Sequence, residues 1–264
     1  MRGAVRGGVG AALVSTPRCE GYLHPMPVLP VIDVASGDKL AWAAFAFNVG
    51  LHFTQVPLML QMLRDTDPAS LARYVSWPAL LQGFACSLWL GYGLATYPST
   101  PLVANNTIGM ALSLFYVCCF VAKRPTRAGK ALVAALWLLA VSCSILLYGL
   151  LYLRAPVAGA DGIAAGVTIA VTAFFWASPL RALATAAADL DESKVPLPLT
   201  FIMKATVTVW LAVGCLVGDV ALVVCSAIGV FFTTLQLALW GYIRVLKRRR
   251  DKAGAAALKD ASAA

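Results

Sequence analysis

Ser87-Leu-Trp-Leu-Gly-Tyr-Gly93 and Thr208-Val-Trp-Leu-Ala-Val-Gly214 carry the same Trp-to-Gly spacing inside two long apolar runs, 121 residues apart from Trp89 to Trp210. The likeness extends outward from both. Pro57, Pro78, Asn106 and Gly109 find counterparts in Pro179, Pro196, Ser226 and Gly229, at offsets between 118 and 122 residues. One pattern stated twice within apolar segments predicts two structural repeats with a site between them.

The chain is 60% hydrophobic and 12% charged, against roughly 25% charged residues in a soluble domain. That deficit fits a surface facing lipid. Apolar spans lie near 40–63, 75–95, 101–122, 131–153, 160–180, 197–217 and 219–246. Each has about 20 residues or more, enough for a helix to cross ~30 Å of hydrocarbon. Segments of about ten alternating residues, the mark of a membrane β-barrel, do not occur. The expectation is an all-α membrane protein with seven transmembrane helices.

The repeat sets the arrangement. Three helices in each half, placed consecutively, would run in opposite senses; the fourth span has no repeat mate and restores the parallel sense. The predicted architecture is therefore 3+1+3. It has a disordered tail over 1–38, a three-helix bundle over 39–123, a linker helix over 130–154, a second bundle over 159–247 and a tail over 248–264. Met1 to Ser15 has a basic start and a Gly-diluted apolar stretch, so a leader segment is the alternative to a plain tail.

The net charge of +9 is distributed asymmetrically. Arg64, Arg73, Lys123, Arg124, Arg127, Lys130, Arg181 and Lys194 follow odd-numbered spans, and a basic run from Arg244 to Lys252 follows the last. That is the positive-inside pattern, with a cytosolic C-terminus and the N-terminus on the other face. The basic tail then meets anionic lipid, and no nucleic-acid partner is expected. Six of the seven cysteines fall in apolar spans, where cysteine acts as a small hydrophobe. Their spacing suggests neither a metal site nor a disulfide framework. A nucleophile–base pair and a phosphate-binding loop are also lacking, so neither an enzyme nor a cofactor is expected.

Proline removes one helical hydrogen bond and kinks a helix. Pro57, Pro78, Pro179 and Pro196 therefore read as four hinges, although Pro78 and Pro196 also fit the first turn of a helix. Trp89 and Trp210 offer apolar ring faces, suited to the C–H face of a sugar. Asn106 and Ser226 offer neutral donors and acceptors, suited to hydroxyl groups. Lys204 reads as a snorkelling lysine, with a buried coupling group as the alternative. His52 reads as a packing histidine.

Together these motifs resemble the SWEET (MtN3/saliva) family of sugar transporters over residues 40–246. The resemblance rests on Ser87-Leu-Trp-Leu-Gly-Tyr-Gly93, Asn106-Thr-Ile-Gly109, Ala177-Ser-Pro-Leu180, Val195-Pro-Leu197, and Asp219, Gly229 and Gln236. SWEETs are an established case of parallel repeats about an axis normal to the membrane. The resemblance implies facilitated, bidirectional movement of mono- or disaccharides by two rocking bundles. It implies a pocket of Trp89, Asn106, Trp210 and Ser226, the four prolines as a hinge tetrad, and Tyr92 with Asp219 as an outer gate. Phe53 and Phe175 match positions governing substrate size. It further implies a plasma-membrane or endomembrane location and association into homo-oligomers. The chain departs from the family pattern at Ser226, where the family has a second Asn, and at Val213, where it has an aromatic residue.

Two other readings compete. A proton-coupled amino-acid exporter of the PQ-loop type would share the fold, but Gln55 and Pro57 are separated by Val56, so the Pro-Gln dipeptide is missing. A seven-span receptor would not need repeat-related prolines.

Overall fold

The computed structural model describes residues 34–67, 71, 74, 76–95, 99–152, 160–191, 195 and 197–263. Residues 1–33, with any leader segment, lie outside the described residues, as do the expected hinge Pro196 and the loop cations Arg73, Arg154 and Lys194. The described elements are helical: α1 Val34–Phe53, α2 Val56–Arg64, α3 Trp77–Ala95, α4 Thr100–Lys123 and α5 Arg127–Tyr152. The second half continues with α6 Ala160–Ala177, α7 Leu180–Asp189, α8 Leu197–Val217 and α9 Val220–Ala263.

Among the described residues, five stretches are long and apolar enough to cross a membrane: the α1–α2 pair, α4, α5, α8 and α9. α3 and α6, the helices at the two other expected crossings, have 19 and 18 residues. At 1.5 Å per residue they reach about 28 Å, close to the hydrocarbon thickness. α6 runs on into α7 beyond a break, as α1 does into α2. The segment expected as a C-terminal tail continues α9 as far as Ala263; its Ala-rich composition favours helix.

Packing follows the repeat. α4 packs between α1 and α3, and α9 packs between α6 and α8. α2 rests on α4 as α7 rests on α9. Across the halves, α1 meets α8 and α6 meets α3. Exchanging α1–α4 for α6–α9 thus maps each of these contacts onto another of them. α5 stands outside that exchange, leaning mainly on α3 and α4. It leaves Leu132, Leu138, Leu139, Ile145 and Leu146 exposed, the outward face of a helix solvated by lipid.

Tight turns keep the helices of each half close. Gly218 takes a left-handed φ of 72° in the short connection from α8 to α9, a conformation glycine adopts without strain. Asp219 follows, and its Oδ1 accepts the Leu222 N–H at 2.9 Å, capping the first turn of α9. Further inside, a Cβ on Gly214 would come within 3.0 Å of the Val223 backbone nitrogen, and one on Gly93 within 3.1 Å of Val103 Cγ2. Both glycines let the second and third helices of a bundle approach closely.

Candidate functional site: a cavity between the repeats

A cavity opens between the two halves. Its lining is the repeat itself. α1 supplies Asn48, Leu51 and His52, and α6 supplies Thr172, Phe175 and Trp176 at the same helical spacing. Ala85, Cys86 and Trp89 of α3 face Thr206, Val207 and Trp210 of α8. Leu102, Asn105 and Asn106 of α4 match Leu222, Cys225 and Ser226 of α9. Gln82 alone among the lining residues has no lining mate; its counterpart at the α3–α8 offset is Met203.

The structure brings Trp89, Asn106, Trp210, Ser226 and Phe175 to one cavity. The Trp89 indole N–H donates to Thr172 Oγ1 at 2.9 Å, tying the halves together beside the cavity. Asn106 Nδ2 donates back to the Leu102 carbonyl at 2.8 Å, which fixes the orientation of the carboxamide.

Phe53 is a correction. Its ring is 51% exposed and does not line the cavity. The cause is repeat register. Thr54 N–H donates to Leu51 O, and Ser178 N–H donates to Phe175 O, each at 3.2 Å. Thr54 Oγ1 and Ser178 Oγ then donate to those same carbonyls, at 2.6 and 2.8 Å. Helix resumes with Met59 N–H on Gln55 O and Leu183 N–H on Pro179 O. Every one of these correspondences is offset by 124 residues (54 to 178). Pairing Pro57 with Pro179 by residue type is therefore out of register by two. The structural mate of Phe175 is Leu51, and the mate of Pro179 is Gln55. On a helix, Phe53 lies about 100° round from His52, on another face.

The hinge prolines divide accordingly. Pro57 falls at the second position of α2, just after the break at Thr54–Gln55. Pro179 is the N-cap of α7, within the second break. Pro78 sits in the first turn of α3, where proline costs no helical hydrogen bond.

Each break is braced from the third helix of its own bundle. The Tyr116 hydroxyl donates to His52 O, and Gln236 Nε2 donates to Trp176 O at 3.4 Å. A loosened helix leaves carbonyls to be re-satisfied inside a membrane, and both bundles do so at equivalent positions. Gln236 was legible as a family match; Tyr116 carried no such sign.

At one end of the cavity the Tyr92 hydroxyl contacts both carboxylate oxygens of Asp219, 2.9 Å from each. This bridge joins α3 of the first half to the α8–α9 turn of the second. Lys204 stands apart from the cavity: its Nζ donates to the Val230 carbonyl at 3.2 Å and to the Thr234 hydroxyl, both on α9. The alternative reading of Lys204 as a coupling group finds no support there.

A sequence profile for the family described as "sugar efflux transporter for intercellular exchange" matches residues 38–128 and 162–248. The chain belongs to the SWEET (MtN3/saliva) family. Its two matched stretches begin 124 residues apart and end 120 apart (38 to 162, 128 to 248), the same drift in register that the breaks and the cavity show. Among similar SWEETs, the bidirectional sugar transporter SWEET15 of Oryza sativa subsp. indica is 24% identical over 213 residues, covering 78% of this chain and 65% of that protein. Sugar transporter SWEET1 of Caenorhabditis elegans is 23% identical, over 80% of this chain and 67% of the other. The chain thus spans about two thirds of the length of these curated relatives. A solved eukaryotic SWEET transporter shares the fold, with a TM-score of 0.69 at 20% identity over 80% of this chain and 99% of that one.

Within the SWEET fold, the histidine read as a packing residue turns out to line the cavity. Two contacts link lining residues there: the His52 side chain interacts with that of Asn105, and the Trp176 indole with the Cys225 thiol. Sequence reasoning missed Asn105 in favour of its neighbour Asn106, and missed Gln82. An amide one helical turn before the motif at Ser87–Gly93 was the available signal for the latter.

Proposed function

We propose that this protein is a facilitative, bidirectional transporter of mono- or disaccharides that works by alternating access of the two bundles. The observation carrying this reading is the cavity on the pseudo-symmetry axis. It is lined by paired indoles, Trp89 and Trp210, and by uncharged hydrogen-bonding groups at Asn48, Asn105, Asn106, Thr172 and Ser226. Indole faces accept the C–H face of a sugar ring, and carboxamides both donate to and accept from hydroxyls. The names of the similar SWEETs support the same substrate class.

In this mechanism the breaks at Thr54–Gln55 and Ser178–Pro179 serve as hinges, with Pro57 holding the first; Pro78 and Pro196 complete the proposed set. Tyr92 and Asp219 form the gate on the non-cytosolic side. Phe175 bounds the ligand, and the first-half residue doing the same is Leu51. The basic C-terminal run sets the cytosolic end, with the N-terminus outside, in the plasma membrane. The chain assembles as a homo-oligomer.

Uptake of radiolabelled hexoses and sucrose into cells lacking endogenous transporters tests the reading. The expected result is saturable flux that is insensitive to a proton gradient and abolished in Trp210→Ala. No flux of any sugar through surface-localised protein would overturn it.

A further inference from the structure

Side chains fasten the linker helix α5 to the first bundle. Trp137 Nε1 donates to Ser113 Oγ of α4 at 2.9 Å, and that hydroxyl donates on to the Ala79 carbonyl of α3 at 2.8 Å. Further along, Ser144 Oγ lies 2.7 Å from Ser87 Oγ of α3. Small residues four apart on α3, Gly83, Ser87 and Gly91, make the groove that admits these groups. A Cβ on Gly83 would strike the Trp137 indole, and one on Gly91 the Tyr148 ring. Such spacing lets membrane helices approach closely. The same face of α8, 121 residues on (83 to 204), carries Lys204, Thr208 and Ala212, of which Thr208 and Ala212 are exposed. As a moving body, α5 goes with the first bundle.

Tyr148, one turn beyond Ser144, reaches out of that body. Its hydroxyl lies 2.7 Å from Thr168 Oγ1 of α6, in the second half. Thr168 donates its one hydroxyl proton to the Ala164 carbonyl at 2.8 Å, so Tyr148 is the donor. One turn along α6, Thr172 Oγ1 donates to the Thr168 carbonyl at 2.7 Å and accepts the Trp89 N–H. Thr168 and Thr172 thus present adjoining rungs, one to the linker helix and one to the cavity indole. Tyr148 is 4% exposed and Thr168 1%, so solvent does not compete for their bond. The Tyr148 ring packs with Leu88 and Ala164, and Tyr92 borders the same cluster. The Tyr92–Asp219 bridge is therefore its neighbour. On the other seam between the halves, Ala44 of α1 holds the position equivalent to Thr168 (44 to 168). The outer rung is peculiar to one side.

We infer that the Tyr148–Thr168 bond is a second latch across the halves, made by the linker helix. It must release together with the Tyr92–Asp219 bridge before the cavity opens on their side. The inference rests on the alternating-access reading and adds to its gate a residue outside the two repeats. Tyr148 takes its position from α3 and α4, whereas Thr168 moves with α6. Separating the two bodies there by about an ångström stretches the bond beyond hydrogen-bonding range. An interaction present in one state and absent from the other biases the equilibrium between them.

The test reads Cys225, which lines the cavity, with a membrane-impermeant thiol reagent applied to the non-cytosolic face of intact cells. Tyr148→Phe should raise its labelling rate about fivefold over the parent, the size of one net hydrogen bond. Thr168→Val should do the same. The double variant should match either single within about twofold, because both remove one bond. Thr168→Ser keeps the acceptor and should label as the parent does. Ser144→Ala tests for a merely structural role, since it removes a bond of α5 inside the first body. It should lower the unfolding temperature and leave labelling unchanged. A parental rate in Tyr148→Phe beside a raised rate in Tyr92→Phe would overturn the latch and leave the gate standing. Parental rates in both would overturn gate and latch together. A rise in Ser144→Ala equal to that in Tyr148→Phe would also overturn the latch. Thr168→Val and its Thr168→Ser rescue carry the test should Tyr148→Phe fail to fold. Labelling needs no sugar, so a parent that moves none would overturn sugar transport and not the latch.

Discussion

The Tyr116 hydroxyl on α4 donates to the carbonyl oxygen of His52, the residue before the last of α1. In the second half Gln236 reaches the carbonyl of Trp176 in the same way. Two different side chains perform one task, which makes the task testable by exchange. Tyr116→Phe strands a buried carbonyl, which costs about 1–3 kcal/mol. The variant should unfold at a lower temperature in detergent, with sugar flux slowed. Tyr116→Gln, the second repeat's own solution, should recover part of the loss where Tyr116→Leu does not.

The register of the breaks sets a second expectation. Phe53 is half-exposed, and Leu51 holds the cavity position equivalent to Phe175. Phe53→Ala should leave the KM for hexoses within about twofold, since it removes no cavity contact. Phe175→Ala and Leu51→Ala should each shift selectivity toward larger sugars, read as the ratio of sucrose to hexose uptake. A changed ratio in Phe53→Ala would place its ring in a state of the transporter other than the one described.

The glycines of the two bundles should tolerate a methyl group unequally. At Gly214 an added Cβ meets the backbone nitrogen of Val223 at 3.0 Å, and backbone cannot turn aside. At Gly93 it meets the Val103 side chain at 3.1 Å, which can. Gly214→Ala should cost about 1–3 kcal/mol as overpacking, and Gly93→Ala measurably less. Thermal unfolding of the two variants side by side checks the order.

Much of this was legible in the chain. Apolar run length and loop charge yield the membrane helices, and the spacing of Trp89–Gly93 against Trp210–Gly214 yields the cavity. What escaped was register. Residue type pairs Pro57 with Pro179, but the backbone pairs Gln55 with Pro179, because a break is set by where hydrogen bonds shift and not by where the proline stands. Gln82 and Asn105 escaped for a related reason: their significance lies in being unlike their mates, and a search for repeats weights likeness. The partnering of Tyr116 with a backbone carbonyl is a tertiary fact with no local signature.

The Tyr92–Asp219 bridge allows its two duties to be separated. Asp219 both receives the Tyr92 hydroxyl from the other half and caps α9 through Leu222 N–H. Tyr92→Phe removes the bridge and leaves the α9 cap in place, whereas Asp219→Ala removes both, the cap being worth about 1 kcal/mol. Cys86 and Cys225 line the cavity and are buried, so their reaction with a membrane-impermeant thiol reagent reports opening. Applied from the non-cytosolic face and read site by site with mass spectrometry, labelling of Cys225 should rise several-fold in Tyr92→Phe with little change in thermal stability. Asp219→Ala should show the same rise together with a lower unfolding temperature. If Tyr92→Phe leaves Cys225 protected, the bridge is a structural tie and the gate lies elsewhere.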